Sequence, residues 1–300
     1  MARMTIIVAG SGHCGNRYVL ATIPAMNDEN DLSEVIVKPA LSTVWFGRPY
    51  VYAASLDSTN EQMKAWVADP AYPSGAVLLA DFQSAGRGRL DRRWDAPPGT
   101  ALLFSVLLRP RWPVNQGAWL TMLAGLAVAE AIEAVAGLPA RLKWPNDVVL
   151  TVGETGEWHK VCGLLLDVTL APAGDRLESA IIGIGLNVNI PESELPVAAT
   201  PATSLLVAGG RPVARRALLL ALLERLEQYY EAAVVGRSPA EGWATRLITL
   251  GRPVVVTSPG SSSSPAGTAE GVDEWGQLLV RDAAGVLHTV AAGDVTLRGR

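Results

Sequence analysis

Residues 161–190, VCGLLLDVTLAPAGDRLESAIIGIGLNVNI, decide the fold class. Two apolar runs, Val161–Leu170 and Ser179–Ile190, flank the turn sequence Ala171–Asp175, which contains proline and glycine. Runs separated by so short a turn predict antiparallel strands, because a parallel pair needs a crossover of about a dozen residues or more. The segment therefore predicts a long β-hairpin and an α+β protein rather than one built from repeated crossover units.

The chain on the N-terminal side of this hairpin alternates between strand and helix patterns. Five short apolar runs predict strands at Tyr50–Ala54, Ala76–Phe82, Ala101–Leu108, Arg141–Trp144 and Val148–Thr151. Helical patterns cover Asn60–Ala68 and Asn115–Ala136, and the second is rich in Ala, Leu and Met without an internal proline. We expect a mixed, largely antiparallel sheet backed by helices.

Beyond the hairpin, helical patterns over Val213–Val234 and Pro239–Thr249 give way at Gly251 to short β-rich runs. Five strands are predicted there, at Pro253–Thr257, Gly267–Val272, Gln277–Arg281, Leu287–Ala291 and Val295–Leu297. Five short strands in so small a segment are typical of a small barrel. The predicted organisation is an N-terminal extension over residues 1–47, a main α+β domain over 48–250 and a small C-terminal domain over 251–300.

Composition and charge exclude several classes of protein. With 49% hydrophobic and 18% charged residues the chain is typical of globular proteins, and its net charge of −4 does not indicate a polyanionic partner. We find no secretory signal, and no apolar stretch is both long and uninterrupted enough to predict a membrane span. Two cysteines, Cys14 and Cys162, leave little scope for a disulfide framework, so we expect a cytoplasmic protein.

The N-terminal extension contains Gly10-Ser-Gly12-His-Cys-Gly15, which matches the glycine fingerprint of a dinucleotide-binding turn. That fold needs an uninterrupted helix after the glycines and an acidic residue after the second strand. Pro24 interrupts the helix, and the candidate second strand Glu34–Val37 ends in Lys38. We therefore expect an appended segment, with Met26 as an alternative start, rather than a dinucleotide site.

The loop from Gln83 to Trp94, QSAGRGRLDRRW, carries four arginines among its glycines. Glycine lets the backbone approach a ligand closely, guanidinium groups bind phosphate or carboxylate, and Trp94 offers a flat face for a base. Composition alone leaves three interpretations open: a ligand-binding loop, a solvated basic loop and a site for single-stranded nucleic acid.

Other polar clusters are equally ambiguous when taken singly. Ser58-Thr-Asn60 at a strand-to-helix junction can be an N-cap, and Lys143-Trp-Pro-Asn-Asp147 can be an ordinary Asx-turn. Lys160 can be an edge charge on a strand. Gly183 and Gly185, at alternate positions of one strand, leave one face bare for a ligand or mark a bulge.

Taken together and in order, these motifs resemble the biotin protein ligase family over about residues 40–298. The matching blocks are Asp57–Asn60, Gln83–Arg89 with Trp94, Lys143–Asp147, Lys160–Gly163, Gly183–Asn187, Ala202–Leu205 and Gly251–Val254. The resemblance implies a catalytic domain related to class II aminoacyl-tRNA synthetases and a C-terminal SH3-like β-barrel. It also implies ATP and biotin as substrates, Mg²⁺ arriving with ATP, and transfer of biotin from biotinyl-5′-AMP to one lysine of a biotin carboxyl carrier domain.

The resemblance also implies roles for individual residues, with no resident metal ligand assigned. Those implied to bind biotin are Ser58, Thr59, Asn60, Gln83, Arg87, Gly88, Arg89, Lys160, Gly163 and Gly185. Those implied to bind ATP or the adenylate are Arg89, Arg92, Trp94, Lys143, Asn146, Asp147 and Asn187. Arg89, Lys143 and Lys160 would be catalytic, because fixed cations favour the charge that develops at the α-phosphorus.

The sequence departs from the family at Asp91, where glycine is common. A carboxylate there could slow adenylation or could order the loop by capping backbone amides. The segment before Ser58 lacks an evident helix-turn-helix repressor module, so we expect no DNA binding, while a homodimer is compatible with the family.

Two rival functions remain open from the sequence. Cys162 could be the nucleophile of a lipoate or octanoyl transferase, although its apolar neighbours favour a buried small side chain. The chain could also be a non-catalytic biotin or nucleotide sensor, against which the retained Lys143, Arg89 and Lys160 argue.

Overall fold

The computed structural model describes residues 28–153, 156–197, 200–257 and 264–297, together with a two-residue antiparallel pairing of Thr5–Ile6 with Ala21–Thr22. The Gly10–Gly15 motif lies outside these described residues. The candidate second strand at Glu34–Val37 is wrong, because residues Glu34–Ala40 form a helix, α1. Glu34 and Lys38 pair one helical turn apart, and Val37 in the same turn is fully buried.

Seven strands form the main sheet. They are β1 (Tyr50–Ala53), β2 (Val77–Ala80), β3 (Ala101–Leu108), β4 (Arg141–Lys143), β5 (Asp147–Val152), β6 (Glu157–Leu170) and β7 (Leu177–Asn187). Their order across the sheet is β1-β2-β3-β7-β6-β5-β4, and only β1 and β2 are parallel. The predicted mixed, largely antiparallel sheet is confirmed, with element ends displaced by four residues or fewer.

The β6–β7 hairpin sets the register of the site. Gly163 on β6 lies opposite Gly185 on β7, and Leu165 lies opposite Gly183. Side chains alternate between the faces of a strand, so these four positions share one face. Three adjacent glycines therefore leave a shallow depression in the middle of the sheet.

Helices cover both faces of the sheet. They are α2 (Thr59–Trp66), α3 (Gly117–Ala136), α4 (Leu205–Gly209), α5 (Arg215–Val234) and α6 (Ala240–Arg246), with short 3₁₀ turns at Val114–Gln116 and Glu192–Glu194. Met63 of α2 packs with Leu107 and Ile181 on the glycine face, whereas α3 and α5 share the larger core on the other face. The glycine face is thus covered by a single short helix, which leaves room for a ligand.

By length and composition alone, one described helix, α3, is apolar enough to cross a membrane. With the turn before it, this helix spans 23 residues, Val114–Ala136, and its most apolar 18-residue window has a mean hydropathy of 1.6. However, 67% of its most apolar window is buried inside the structure. Its apolar character is that of a helix enclosed between a sheet and a second helix.

The segment before β1 is packed into the catalytic core. Leu32, Val37 and Phe46 are 2%, 0% and 0% exposed and belong to the same hydrophobic cluster as α3 and α5. Arg215 on α5 reaches the backbone carbonyl of Asn30 at 3.0 Å. The predicted extension over residues 1–47 therefore differs from the observed packing, because the apolar side chains of its last part fill the core.

The C-terminal segment forms a separate five-stranded antiparallel sheet. Its strands are β8 (Pro253–Thr257), β9 (Ala266–Val272), β10 (Leu278–Arg281), β11 (Leu287–Val290) and β12 (Asp294–Leu297), in the order β11-β10-β9-β8-β12. The indoles of Trp119 and Trp144 each donate a hydrogen bond of 2.9 Å to a backbone carbonyl between β9 and β10. These contacts hold the small sheet against the catalytic core.

Candidate active site

A cavity of about 790 Å³ lies on the glycine face of the main sheet. Its walls come from the start of α2, the arginine loop (residues 83–95), the turn before β5, and β12 of the C-terminal sheet. Every residue that the sequence assigns to biotin or the adenylate lines it. They are Ser58, Thr59, Asn60, Gln83, Arg87, Gly88, Arg89, Arg92, Trp94, Lys143, Asn146, Asp147, Lys160, Gly163, Gly185 and Asn187.

One end of the cavity is neutral, polar and almost closed to solvent. Ser58, Thr59, Asn60 and Gln83 are 2%, 4%, 3% and 8% exposed. The backbone N–H of Thr59 donates to Oε1 of Gln83 at 2.6 Å, which joins α2 to the loop after β2. Buried amides and hydroxyls suit a neutral ligand that carries its own N–H and C=O groups.

The arginine loop folds into a small hairpin beside this end. The N–H of Gly88 donates to the carbonyl of Arg92 at 2.7 Å, and the N–H of Trp94 donates to the carbonyl of Gly86 at 3.0 Å. The tip residues Leu90 and Asp91 both have left-handed backbone, with φ of 56° and 57°. A Cβ on Gly86 would lie 2.2 Å from the Trp94 carbonyl oxygen, so the crossing of the two hairpin strands requires glycine there.

Trp94 at the end of this loop lies directly over the depression in the sheet. A Cβ on Gly163 or Gly185 would lie 2.7 Å or 2.6 Å from its indole ring. Its Nε1 is buried without a hydrogen-bond partner, and Nζ of Lys160 lies 5.3 Å from the ring centroid. The space left by these two glycines, which we expected to admit a ligand, is therefore in contact with the tryptophan ring.

The other end of the cavity is charged, and its cations are paired with acidic or neutral acceptors. Lys160 Nζ lies 2.6 Å from Asp147 Oδ1, and Arg92 pairs with Asp294 of β12. Arg89 donates to Asn146 Oδ1 at 3.0 Å and to the carbonyl of Gly293 at 3.2 Å. These cations therefore meet anions or dipoles of the protein itself.

Arg87 lies at the margin and pairs with Glu61 on α2. Lys143 donates to Thr200 Oγ1 at 3.1 Å. Burial holds the pKa of the Lys143 ammonium below its ordinary value, an effect partly opposed by the Asp147 carboxylate. Burial also lowers the pKa of the Arg89 guanidinium, which nevertheless keeps its charge.

Asn187 lies at the C-terminal end of β7, near the segment around Thr203. Its Nδ2 donates to the carbonyl of Thr203 at 2.9 Å, while its Oδ1 is buried without a partner. A buried acceptor costs free energy unless a ligand or water supplies a proton donor. An amino group on a ligand base would satisfy it.

Sequence reasoning missed four residues of this region. Thr200 and Asp294 line the cavity, while Ser105 and Asp167 contact Asn60 from beneath it. Ser105 is the single polar residue in the apolar strand Ala101–Leu108, and Asp167 interrupts the run Leu164–Val168. A polar side chain inside an apolar strand was the available signal, whereas the approach of Asp294 depends on how the two sheets meet.

Cys162 does not line the cavity. It is fully buried and belongs to the core on the face of α3 and α5, one position out of phase with Gly163. Burial raises the pKa of its thiol far above the ordinary value. The cysteine-nucleophile hypothesis requires an accessible thiolate, and this geometry opposes it.

Comparison with known proteins identifies the family to which this chain belongs. A family model for the biotin/lipoate A/B protein ligase family matches residues 52–187, and one for the biotin protein ligase C-terminal domain matches residues 249–298. A biotin–[acetyl-CoA-carboxylase] ligase of Mycobacterium tuberculosis is 34% identical over 81% of this chain and 86% of its own length. One of Paracoccus denitrificans is 32% identical over 82% and 99%.

A solved structure gives the same result. The biotin protein ligase of Aquifex aeolicus in complex with biotin and ATP is 30% identical, with a TM-score of 0.66 over 83% of this chain and 97% of that one. The fold and the cavity thus define an acid-activating enzyme of the biotin and lipoate ligase class. Within that class, the chain belongs to the biotin protein ligase family, and its activity is the ATP-dependent ligation of biotin.

Proposed function

We propose that this chain forms biotinyl-5′-AMP at the cavity on the glycine face and transfers its biotin to one lysine of a biotin carboxyl carrier domain. The observation that carries the proposal is the polarity of the cavity, which is neutral and buried at one end and cationic at the other. Biotin has the matching division, with a neutral ureido ring at one end and a carboxylate at the other.

In the first half-reaction, a biotin carboxylate oxygen attacks the α-phosphorus of ATP. The bond between the α-phosphorus and the bridging oxygen breaks, and pyrophosphate leaves. We assign Lys160 and Arg89 to the carboxylate and α-phosphate, because both line the charged end and end in hydrogen-bond donors. Their fixed charge offsets the negative charge that develops on the phosphate oxygens.

The remaining residues fall into two groups around this reaction centre. Ser58, Thr59, Asn60 and Gln83 are assigned to the ureido ring, with Arg87 and Gly88 beside it, and Gly163 and Gly185 are assigned to the biotin end of the cavity floor, under the Trp94 ring. Lys143, Arg92, Asn146 and Asp147 are assigned to the phosphates. Trp94 and Asn187 are assigned to the adenylate, and the unpartnered Oδ1 of Asn187 supports that role.

In this scheme magnesium arrives bound to the ATP substrate, and the ion keeps several of its water ligands. Among the residues that the structure describes, no three His, Cys, Asp or Glu side chains are grouped so that they could hold a metal ion. The scheme therefore assigns no protein cage to the ion.

In the second half-reaction, a neutral amine of the carrier lysine attacks the carbonyl carbon of the mixed anhydride, the bond from that carbon to the bridging oxygen breaks, and AMP leaves with this oxygen, which came from the biotin carboxylate. The amine loses one proton as the amide forms. Positioning and charge are sufficient, because adenylation has already supplied a good leaving group. No enzyme nucleophile is required.

The finer organisation is also a proposal. We place the catalytic domain at residues 48–250, against which the segment 28–47 packs, and an SH3-like barrel at 251–300, which five short antiparallel strands in the order β11-β10-β9-β8-β12 support. We further propose a cytoplasmic enzyme without operator binding, for which a gel-shift assay is the test. Sedimentation of the liganded enzyme tests for a homodimer.

The decisive experiment measures pyrophosphate release with ATP and biotin, lipoate or octanoate, followed by mass spectrometry of a carrier domain. We expect release with biotin, a mass increase of one biotinyl group on the carrier, and none on a carrier whose acceptor lysine is replaced by arginine. Release with lipoate or octanoate in preference to biotin would overturn the proposal. Binding of biotin without pyrophosphate release would instead support the sensor hypothesis.

A further inference from the structure

Beneath the neutral end of the cavity, Thr59 and Asn60 join a row of hydrogen bonds with two residues that have no role assigned above, Ser105 and Asp167. Asn60 Nδ2 lies 3.2 Å from Asp167 Oδ2 on β6, and Asn60 Oδ1 lies 2.5 Å from Ser105 Oγ on β3. Ser105 Oγ also lies 2.7 Å from Thr59 Oγ1. Ser105 is fully buried, and Thr59 and Asn60 are 4% and 3% exposed, so water has little access to the bonds that Ser105 makes, whereas Asp167 is partly exposed.

The direction of each bond follows from the chemistry of its partners. An ionised carboxylate only accepts hydrogen bonds, so Asp167 requires the Nδ2 end of the Asn60 amide to face it. The Oδ1 end must then face Ser105, and because an amide oxygen only accepts, Ser105 donates its one hydroxyl proton to it. Gly183 allows this arrangement, since a Cβ there would lie 2.2 Å from Asn60 Oδ1.

The same logic fixes the hydroxyl of Thr59. Ser105 donates its only hydroxyl proton to Asn60, so Thr59 must be the donor in the 2.7 Å contact between the Thr59 and Ser105 hydroxyls. Thr59 therefore has only lone pairs left, and towards the cavity its side chain can act only as an acceptor. A ligand N–H group would satisfy it, whereas a ligand C=O or sulfur would not.

Gln83 is fixed in the opposite sense by the backbone. Its Oε1 accepts the Thr59 N–H at 2.6 Å, and a backbone N–H can only donate, so the Nε2 end of Gln83 is left as a donor. The wall of the cavity thus offers an acceptor at Thr59 and a donor at Gln83. A cyclic urea has the complementary N–H and C=O groups, whereas a dithiolane ring or an alkyl chain has neither.

We propose that Asp167 and Ser105 are positioning residues that set the proton directions of the ureido-binding wall, and thereby its selectivity for a cyclic urea. The proposal rests on the proposed function of this cavity. Asp167 acts through Asn60, Ser105 and Thr59 in turn, so its effect should reach the ligand without any contact between them.

The test compares biotin with a biotin derivative methylated on a ureido nitrogen, which lacks that N–H donor. Dissociation constants are measured calorimetrically for wild type, Asp167→Asn and Ser105→Ala. Asparagine can donate as well as accept, so Asp167→Asn permits the Asn60 amide to turn over, and Ser105→Ala cuts the row at its middle. Asp175→Asn, in the exposed turn between β6 and β7, is the matched acid-to-amide control.

We expect each variant to weaken biotin by about 3- to 10-fold, the size of one neutral hydrogen bond. Preference for biotin over the methylated derivative should shrink by a similar factor, and the double variant should lose no more than either single one, because both interrupt one row. A merely structural role would weaken both ligands alike. Undiminished preference in either variant, or additive losses in the double variant, would overturn the proposal.

Failure of this proposal is separable from failure of the proposed function. If wild type binds no biotin and releases no pyrophosphate, the assignment of the cavity is wrong. If wild type does both and the variants keep its preference, only the role of Asp167 and Ser105 is wrong. Pyrophosphate release with saturating biotin should stay near the wild-type rate in both variants, because neither residue lies at the charged end.

Discussion

The two ends of the cavity are held ready for their ligands in different ways. At the neutral end, Thr59, Asn60 and Gln83 are buried and bonded to protein groups of fixed donor and acceptor type. At the charged end, Lys160 and Arg92 are paired with carboxylates, Asp147 and Asp294, which a phosphate would have to displace or share. The first end is prearranged, whereas the second must exchange partners when ATP arrives.

This difference suggests how the two substrates are handled. A prearranged polar wall loses little conformational entropy on binding, and it rejects ligands that leave its groups unpaired. A charged end neutralised by its own carboxylates avoids the cost of unpaired buried cations in the free enzyme. Selectivity for the acid should therefore reside at the neutral end, and the rate of adenylation at the charged end.

The largest effect should come from Lys160→Met, which removes a cation from the charged end while keeping a side chain of similar length. We expect pyrophosphate release to slow by about 10²- to 10³-fold, the cost of losing one preorganised charge-stabilising group, with a smaller loss of biotin affinity through the contact assigned to the biotin carboxylate. Stopped-time assays with radiolabelled ATP measure the rate. Lys38→Met on α1, far from the cavity, is the matched control.

The same variant also leaves Asp147 without its cation, so the double variant Lys160→Met with Asp147→Asn is needed. If Lys160 acts on the phosphate, the double variant should remain slow. Recovery of the wild-type rate would mean that Lys160 only neutralises Asp147, and the contrast between the two ends would lose its main support.

The next effect concerns retention of the intermediate and sharpens the contrast. Arg89→Gly removes the hydrogen bonds to Asn146 and Gly293 that tie the arginine loop to the turn before β5 and to the C-terminal segment. A charge-assisted contact is worth roughly 1.5–3 kcal/mol, so biotinyl-AMP should be held about 10- to 100-fold less tightly. Adenylation should continue while the released intermediate labels lysines of unrelated proteins.

Mass spectrometry of a mixture of the carrier domain and an unrelated lysine-rich protein measures this loss. Arg93→Gly is the control in the same loop, because the Arg93 side chain is 63% exposed and donates to the nearby Ser84 carbonyl. Biotin found only on the carrier lysine, with wild-type retention of the intermediate, would contradict the role assigned to Arg89.

Local patterns in the sequence were enough to predict most of the main sheet. Strand and turn signals are properties of short segments, so the β6–β7 hairpin and Ala101–Leu108 were predicted close to their observed ends. Glu34–Val37 was wrongly predicted as a strand, because so short an apolar run has no clear hydrophobic periodicity. The ion pair between Glu34 and Lys38, four residues apart, favours a helix.

The residues that line the cavity could be predicted only where they belong to a recognisable sequence motif. The approach of Asp294 to Arg92 and of Trp94 to Gly185 depends on how separate segments meet in space. Neither contact has a signal in the spacing of residues. The packing of Leu32 and Val37 into the core was missed for the same reason, since it depends on an apolar surface formed by α5 and the sheet.

A smaller effect should appear in the pH dependence of the charged end. Burial lowers the pKa of Lys143, so this ammonium loses its proton at a lower pH than an exposed lysine does. If its charge assists adenylation, the rate should fall on the alkaline side as Lys143 is deprotonated. In Lys143→Arg the guanidinium stays charged, and the alkaline fall should move to higher pH.

The measurement is the rate of pyrophosphate release between about pH 7 and pH 10, below the ordinary lysine pKa of about 10.4, for wild type, Lys143→Arg and the exposed control Lys64→Arg. Biotin binding at the neutral end should be unchanged across the series. An alkaline limb that stays in place in Lys143→Arg would assign the titration to another group.

The smallest effect concerns Asp91 at the tip of the arginine loop, where two explanations of this residue can be separated. Its backbone is left-handed at φ 57°, its side chain is exposed, and among the described residues its carboxylate makes no hydrogen bond that would cap the loop. The remaining effects are a charge near the phosphate end and backbone strain. Asp91→Asn removes the charge and keeps a residue that tolerates this conformation, whereas Asp91→Gly removes the charge and the strain together.

An exposed charge contributes about 0.2–1 kcal/mol, so both variants should speed pyrophosphate release by about 1.4- to 5-fold, and the gain should vanish in high salt. Only Asp91→Gly should also change the melting temperature. Relief of backbone strain and the added backbone freedom of glycine alter the stability of the fold, whereas loss of the charge alters only the electrostatic potential near the phosphate end. Slower adenylation in both variants would show that Asp91 orders the loop after all. A salt-independent gain confined to Asp91→Gly would assign the effect to the backbone. The rate of adenylation would then be limited by the shape of the arginine loop rather than by the exchange of carboxylate partners for phosphate at the charged end.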